Sequence, residues 1–155
     1  MTDMNLSVGE IVMGKDPSDS LDELLLRQIT PHIWVNDHGI PASHAFGPST
    51  ADQGMPSYSR DSKVTPKEAF DWHNAHARSK SVGTWACSLG EVHQAGAEAI
   101  DDSGVAVGRP VAPGHCYVDF RGLSKQERKD LRSQLLRFAL NRGIVHPDSP
   151  VLPPE

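Results

Sequence analysis

Cysteine is nearly absent: Cys87 and Cys116 are the only two in 155 residues, too few for a disulfide framework, so cross-links do not hold this chain together. No stretch nears the ~18–20 consecutive apolar residues of a membrane-spanning helix. The opening residues, MTDMNLSVGE, lack a basic segment followed by an apolar one, so the expectation is a cytoplasmic chain with no membrane partner. Aromatic residues make up 6% and the net charge is −5. Both disfavour nucleic-acid binding, which draws on a basic excess and stacking faces. Common chemical motifs are missing too. There is no CxxC or HExxH for zinc, no GxSxG elbow, and no Walker or GxGxxG phosphate cradle. What is plentiful is glycine, 13, and proline, 12, which implies a loop-rich fold on a single core.

The modest net charge hides an asymmetry. Residues 121–142 hold seven cations against Glu127 and Asp130, a net +5, while the first 23 residues carry a net −5. Residues 1–20 therefore read as an acidic tail, residues 21–145 as one domain, and residues 146–155 as a proline-stiffened tail. An acidic leader and a basic helix could meet each other, or the helix could meet an acidic partner.

Two helices are well written. Thr65, Pro66 and Glu68 form a capping box with proline at the first helical position, predicting a helix over 66–78. Ser124 and Glu127 repeat the box, and Leu131, Leu135, Phe138 and Ala139 form a buried stripe that Gly143 ends, predicting a helix over 125–142. Alternation predicts strands near 25–30, 82–92, 105–107 and 115–120, the last with Cys116, Val118 and Phe120 inward and His115, Tyr117 and Asp119 outward. The fold class is then α+β: a small, mainly antiparallel sheet packed by two helices, in a single domain with extended termini.

Eight histidines raise the question of a metal. His73 and His76 share a helix face, and His115 lies on a strand, but its neighbour Cys116 points to the opposite face, so no ligand set assembles and no metal is expected. Both thiols read as buried and inert. The irregular stretch 36–62, near Trp34, Phe46 and Tyr58, is the natural place for a pocket or a partner. Arg128, Lys129 and Arg132 are expected to face water on the last helix as a second partner surface.

Arg27 on an early strand, the Ser57-Tyr58-Ser59 segment before a capped helix, and Glu91 closing a later strand, with Leu89 two residues before it, occur in that order. The order resembles the ADP-ribosyltransferase superfamily in its Arg, Ser-x-Ser, Glu version. That resemblance implies NAD as cofactor, held by Arg27 at the pyrophosphate and by Ser57 and Ser59 at the nicotinamide, with Glu91 stabilising an oxocarbenium ion. Across residues 24–143 the segments LLRQITP, HAFGPSTADQGMPSYSR, SVGTWACSLGEV and HCYVDFRGLS resemble a group of small bacterial proteins, a likeness that implies no activity. Two functions follow as expectations. The first is a non-catalytic accessory or interaction subunit of a bacterial multi-protein system, needing no cofactor and binding another protein. The alternative is an NAD-dependent ADP-ribosyltransferase-like enzyme.

Overall fold

The computed structural model describes residues 8–31, 38–49, 52–105 and 111–152. In chain order its elements are β1 (Ile11–Val12), β2 (Leu24–Ile29), a 3-10 turn (Ser43–Phe46), β3 (Ser57–Arg60), α1 (Pro66–His76), β4 (Gly83–Ser88), α2 (Leu89–Gln94), β5 (Ala99–Asp101), β6 (His115–Val118) and α3 (Lys125–Arg142). The strands form one six-stranded sheet in the order β1-β5-β6-β3-β2-β4, and every neighbouring pair is antiparallel. The expected α+β class is the one observed.

Strand β2 explains the layering. Successive side chains of a strand point to opposite faces, so Leu25 and Ile29 enter one core, with Tyr58, Cys87, Cys116 and the α3 residues Leu131, Leu135 and Ala139. Leu26 enters a smaller one on the other face, with Val64, Ala86 and Ala69 of α1. Burial on both faces is why LLLRQI reads as an apolar run. Truncating a fully buried residue such as Leu135 to Ala costs about 2–5 kcal/mol.

Both predicted capping boxes form, at Thr65–Glu68 and Ser124–Glu127. Gly143 ends α3 at φ +87°, a conformation glycine takes without a Cβ clash. Helix α1 stops at His76, two residues early, because Ala77 is already extended.

Several expectations are corrected. The strand over 82–92 ends at Ser88, where a third capping box, Ser88 with Glu91, starts α2. The strand near 105–107 is not seen at Val105, and 106–107 lie outside the described residues; the strand in this region is β5. Tyr117, expected to point outward, is on the face opposite Cys116 and Val118 but is covered there: it is 1% exposed, and its hydroxyl donates to Glu10 at 2.8 Å.

The described part of the acidic leader belongs to the sheet: Ile11 pairs with Asp101 and Val12 with Ile100. Asp19 of the leader lies 3.7 Å from the guanidinium of Arg60, and Glu23, just past the leader, lies 2.8 Å from it. At the other end, residues 145–151 run beside β4, with Val145 N–H donating to Thr84 O and Val151 N–H to Val82 O. That cover satisfies the backbone groups of Thr84 at the start of the β4 edge, which would otherwise be unpaired.

Candidate active site

Helix α1 covers β2 and β4 on its face of the sheet and leaves the β3–β6 half open. Over that half lies a cleft of about 380 Å³. Ala69, Trp72 and His73 of α1 form one wall; Asp102 and Val105, following β5, together with Val111 and Ala112, form the other. Leu26, Gln28, Ser57, Ser59 and His115 line it from the sheet.

Register places the polar groups. Ser57 and Ser59 are two residues apart on β3 and so share a face, and Ser59 pairs with His115 across β6. Cross-strand diagonals on one face are within reach of a long side chain, which brings His115 to Ser57. Asp101 pairs with Cys116, so one residue further on, Asp102 comes alongside His115. The outcome is a continuous line: His115 Nδ1 donates to Asp102 Oδ1 at 2.6 Å, and Ser57 Oγ donates to His115 Nε2 at 2.9 Å. A carboxylate at Nδ1 fixes the tautomer that leaves the Nε2 lone pair facing the hydroxyl. The imidazole and the carboxylate are only 20% and 22% exposed, while Ser57 is exposed.

Gln28 flanks this line. Leu26 pairs with Ser59, so two residues on, Gln28 sits across from Ser57 on the same face. Its Oε1 accepts from the hydroxyls of Ser81 and Thr84 at 2.8 and 2.9 Å. That turns the amide NH2 away from them, and it makes no hydrogen bond among the described residues. His73 sits close by, its Nε2 donating to Ser79 O at 2.8 Å. Burial, helped by the charges of Arg27 and Lys80, lowers its pKa and keeps it neutral.

Of the residues singled out in the sequence, Arg27, Ser57, Tyr58, Ser59, His73 and His115 line this one cleft. Arg27 is spent as a clamp: its guanidinium donates to the carbonyls of Ala45, Ser57 and Gly47 and lies 5.3 Å from the Tyr58 ring centroid. Glu91 is not brought to the cleft. It caps α2 through Ser88 and pairs with Arg142 at 2.8 Å. Burial alone would raise its pKa, but hydrogen bonds from Arg142 and Ser88 and the Arg142 charge outweigh that and lower it. The strand-end carboxylate of the ADP-ribosyltransferase pattern is thus a helix cap here.

The expected partner surface is likewise redistributed. Phe46 and Tyr58 are core residues, 0% and 2% exposed, joined by a Tyr58 hydroxyl to Phe46 carbonyl bond of 2.9 Å. Trp34 lies outside the described residues. Arg132 does not turn wholly to water: its side chain packs over Gly47, and its buried Nε has no partner among the described residues. Arg128 is half-buried beside Gly54, and only Lys129 of the three is exposed.

His76 stacks on Trp72 and is hydrogen-bonded to its carbonyl, so the three histidines considered for a metal have separate partners. Among the described residues no group of three or more His, Cys, Asp or Glu is placed to hold an ion. Both cysteines are free and buried. Burial pushes the Cys87 thiol up to about 12 and Cys116 well above its ordinary value, so neither is a nucleophile at neutral pH.

Sequence reasoning missed Asp102 and Gln28. The signal for Asp102 was an Asp-Asp-Ser-Gly turn ending an apolar stretch, but its pairing with His115 depends on strand register. Comparison with family models, with curated proteins and with solved structures finds no match to this chain.

Proposed function

We propose that this chain is a serine hydrolase of small acyl esters or thioesters, with Ser57 as nucleophile, His115 as general base and acid, and Asp102 as the group that orients His115. The observation that carries the reading is the Ser57–His115–Asp102 hydrogen-bond line at 2.9 and 2.6 Å, lying along a cleft large enough for a small ligand. Nucleophile, base and orienting carboxylate within hydrogen-bond reach are the arrangement that activates an otherwise weak hydroxyl, whatever the fold.

In this reading Ser57 Oγ attacks the acyl carbon as His115 Nε2 takes its proton. The tetrahedral adduct collapses, and His115 returns the proton to the departing alcohol or thiol, leaving acyl-Ser57. Water, deprotonated by His115, then releases the acid and restores Ser57. Gln28 serves as the donor to the developing oxyanion, since its NH2 is aimed by bonds on its other end and is across from Ser57.

The test is covalent labelling with a fluorophosphonate, located by peptide mass spectrometry, together with release of thiol from short acyl thioesters. Labelling should fall on Ser57. Ser57→Ala and His115→Ala should each lower kcat/KM by roughly 10³-fold or more, and Gln28→Ala should lower kcat by roughly 10²-fold. A folded wild-type chain that neither labels at Ser57 nor turns over any thioester above the buffer rate overturns the proposal.

A further inference from the structure

The cleft has polar and apolar lining. Besides the Ser57–His115–Asp102 line it is lined by the apolar Leu26, Ala69, Trp72, Val105, Val111 and Ala112, with Trp72 on the α1 wall. Trp72 is the large residue of that set, and it is held in place. The His76 ring stacks on the indole, with centroids 4.1 Å apart and planes at 15°, and His76 Nδ1 donates to the Trp72 carbonyl at 2.8 Å. Residues four apart on a helix meet in this way, so the pair is a property of α1 itself.

With one face of the indole taken by His76, what Trp72 gives the cleft is its other face or its edge. Both are favourable partners for a second ring, in offset stacking or edge-to-face contact. Ala69, three residues earlier on α1, carries only a methyl group at the same wall. The neighbouring imidazole of His73 is kept neutral by burial, so it adds no charge beside the indole.

We infer that the cleft takes substrates whose acyl group carries a planar aromatic ring, seated on Trp72 with its carbonyl at Ser57. The inference rests on the hydrolase reading for the chemistry, but ring binding can be measured without it. A fixed aromatic surface loses little conformational freedom on binding, so the ring contact should appear mainly in affinity.

The experiment uses the full chain and two readouts. Calorimetry on the Ser57→Ala variant compares benzamide with cyclohexanecarboxamide, which differ in planarity and π character but little in size. Thiol release by the wild-type chain compares S-ethyl thiobenzoate with S-ethyl cyclohexanecarbothioate, neither of which has an aromatic leaving group. Benzamide should bind about 3- to 10-fold more tightly. That preference should vanish in Trp72→Leu, persist in Trp72→Phe and weaken in His76→Ala, and in turnover it should appear in KM with kcat little changed. Equal binding of the two amides, or a preference that survives Trp72→Leu, overturns the inference even if Ser57 is a working nucleophile. If benzamide is preferred through Trp72 while Ser57 neither labels nor turns over, the aromatic seat stands and the hydrolase reading falls.

Discussion

Replacing Arg60 by Met should do more damage than its partly exposed position suggests. The Arg60 guanidinium, 12% exposed, donates to both oxygens of Glu23 at 2.9 and 2.8 Å and to Asp101 at 2.7 Å, and both carboxylates are only 5% exposed. Asp19 and Lys63 stand further off, at 3.7 Å. Methionine keeps most of the aliphatic stem but leaves two buried carboxylates without their main counter-charge, a change that costs about 3–5 kcal/mol. Against a total stability of about 5–15 kcal/mol, and at about 2–4 °C per kcal/mol for a chain of this size, Tm should drop by about 6–20 °C at pH 7. Acid should narrow the gap. Burial alone would raise both carboxylates, but hydrogen bonds from Arg60, from Ser62 to Glu23 and from Ser103 to Asp101, with the nearby positive charges, hold them below their ordinary values of 4.5 and 3.8. Depressed carboxylates contribute stability that is present above those ordinary values and is lost as pH falls through the folded ones. Without Arg60 burial prevails, both values rise, and protonation relieves the variant, so the difference in Tm shrinks between pH 7 and pH 4. Adding Glu23→Gln and Asp101→Asn to Arg60→Met should recover at least half of the loss, because no buried charge is then left unpaired. Thermal melts of the three proteins at both pH values decide the matter. An Arg60→Met loss under about 1 kcal/mol, with unchanged acid dependence, would refute the reasoning.

Ser88→Ala removes the side chain that accepts from Glu91 N–H at the start of α2 and should cost about 1 kcal/mol in urea unfolding, with no change in Ser57 labelling. Gly9→Ala should be worse, by about 2 kcal/mol or more: Gly9 has φ +95°, and a Cβ there would stand 2.8 Å from the Gly104 carbonyl oxygen, a backbone atom with nowhere to retreat. Because Gly104 follows Asp102 so closely, the same variant should also slow turnover. Cys87 and Cys116 should resist a thiol reagent in the native chain at pH 8 and react fully in urea; rapid native labelling of either would contradict their burial and raised pKa values.

Local chemistry was legible and long-range register was not. The capping residues Thr65, Glu68, Ser124 and Glu127, the stop at Gly143 and the inward set Cys116, Val118 and Phe120 could be read from a few neighbouring positions, and each stands as read. Ser88 with Glu91 carried the same capping signature, yet alternation in SVGTWACSLGEV favoured continuing the strand; the cap decides, since it satisfies N–H groups that a strand would need a neighbour to satisfy. The site failed for a different reason. Ser57 and His115 were noticed separately, one as a pocket residue and one as a possible ligand, but 58 positions separate them. Only the order β5-β6-β3 in the sheet makes Asp102, His115 and Ser57 neighbours, and nothing in their local sequence states that order.

The leader shows how far composition can mislead about what a site depends on. Its acidity marks it as a solvated tail when charges are counted along the chain, because a count does not see that Arg60 needs carboxylates on two sides. Asp19 of the leader and Glu23 just beyond it stand on one side and Asp101 of β5 on the other, so Arg60 couples the end of the leader to the strand that ends beside the site. Strand β1 then pairs with β5 along Ile11–Asp101 and Val12–Ile100, and Gly9 closes against Gly104. These contacts bracket Asp102 from before and after. A carboxylate that orients an imidazole must be held to within a fraction of an ångström, and a three-residue strand leading into a turn would not hold it alone. The acidic leader is therefore the support of the site's third member, and trimming it should weaken turnover before it unfolds the α3 core.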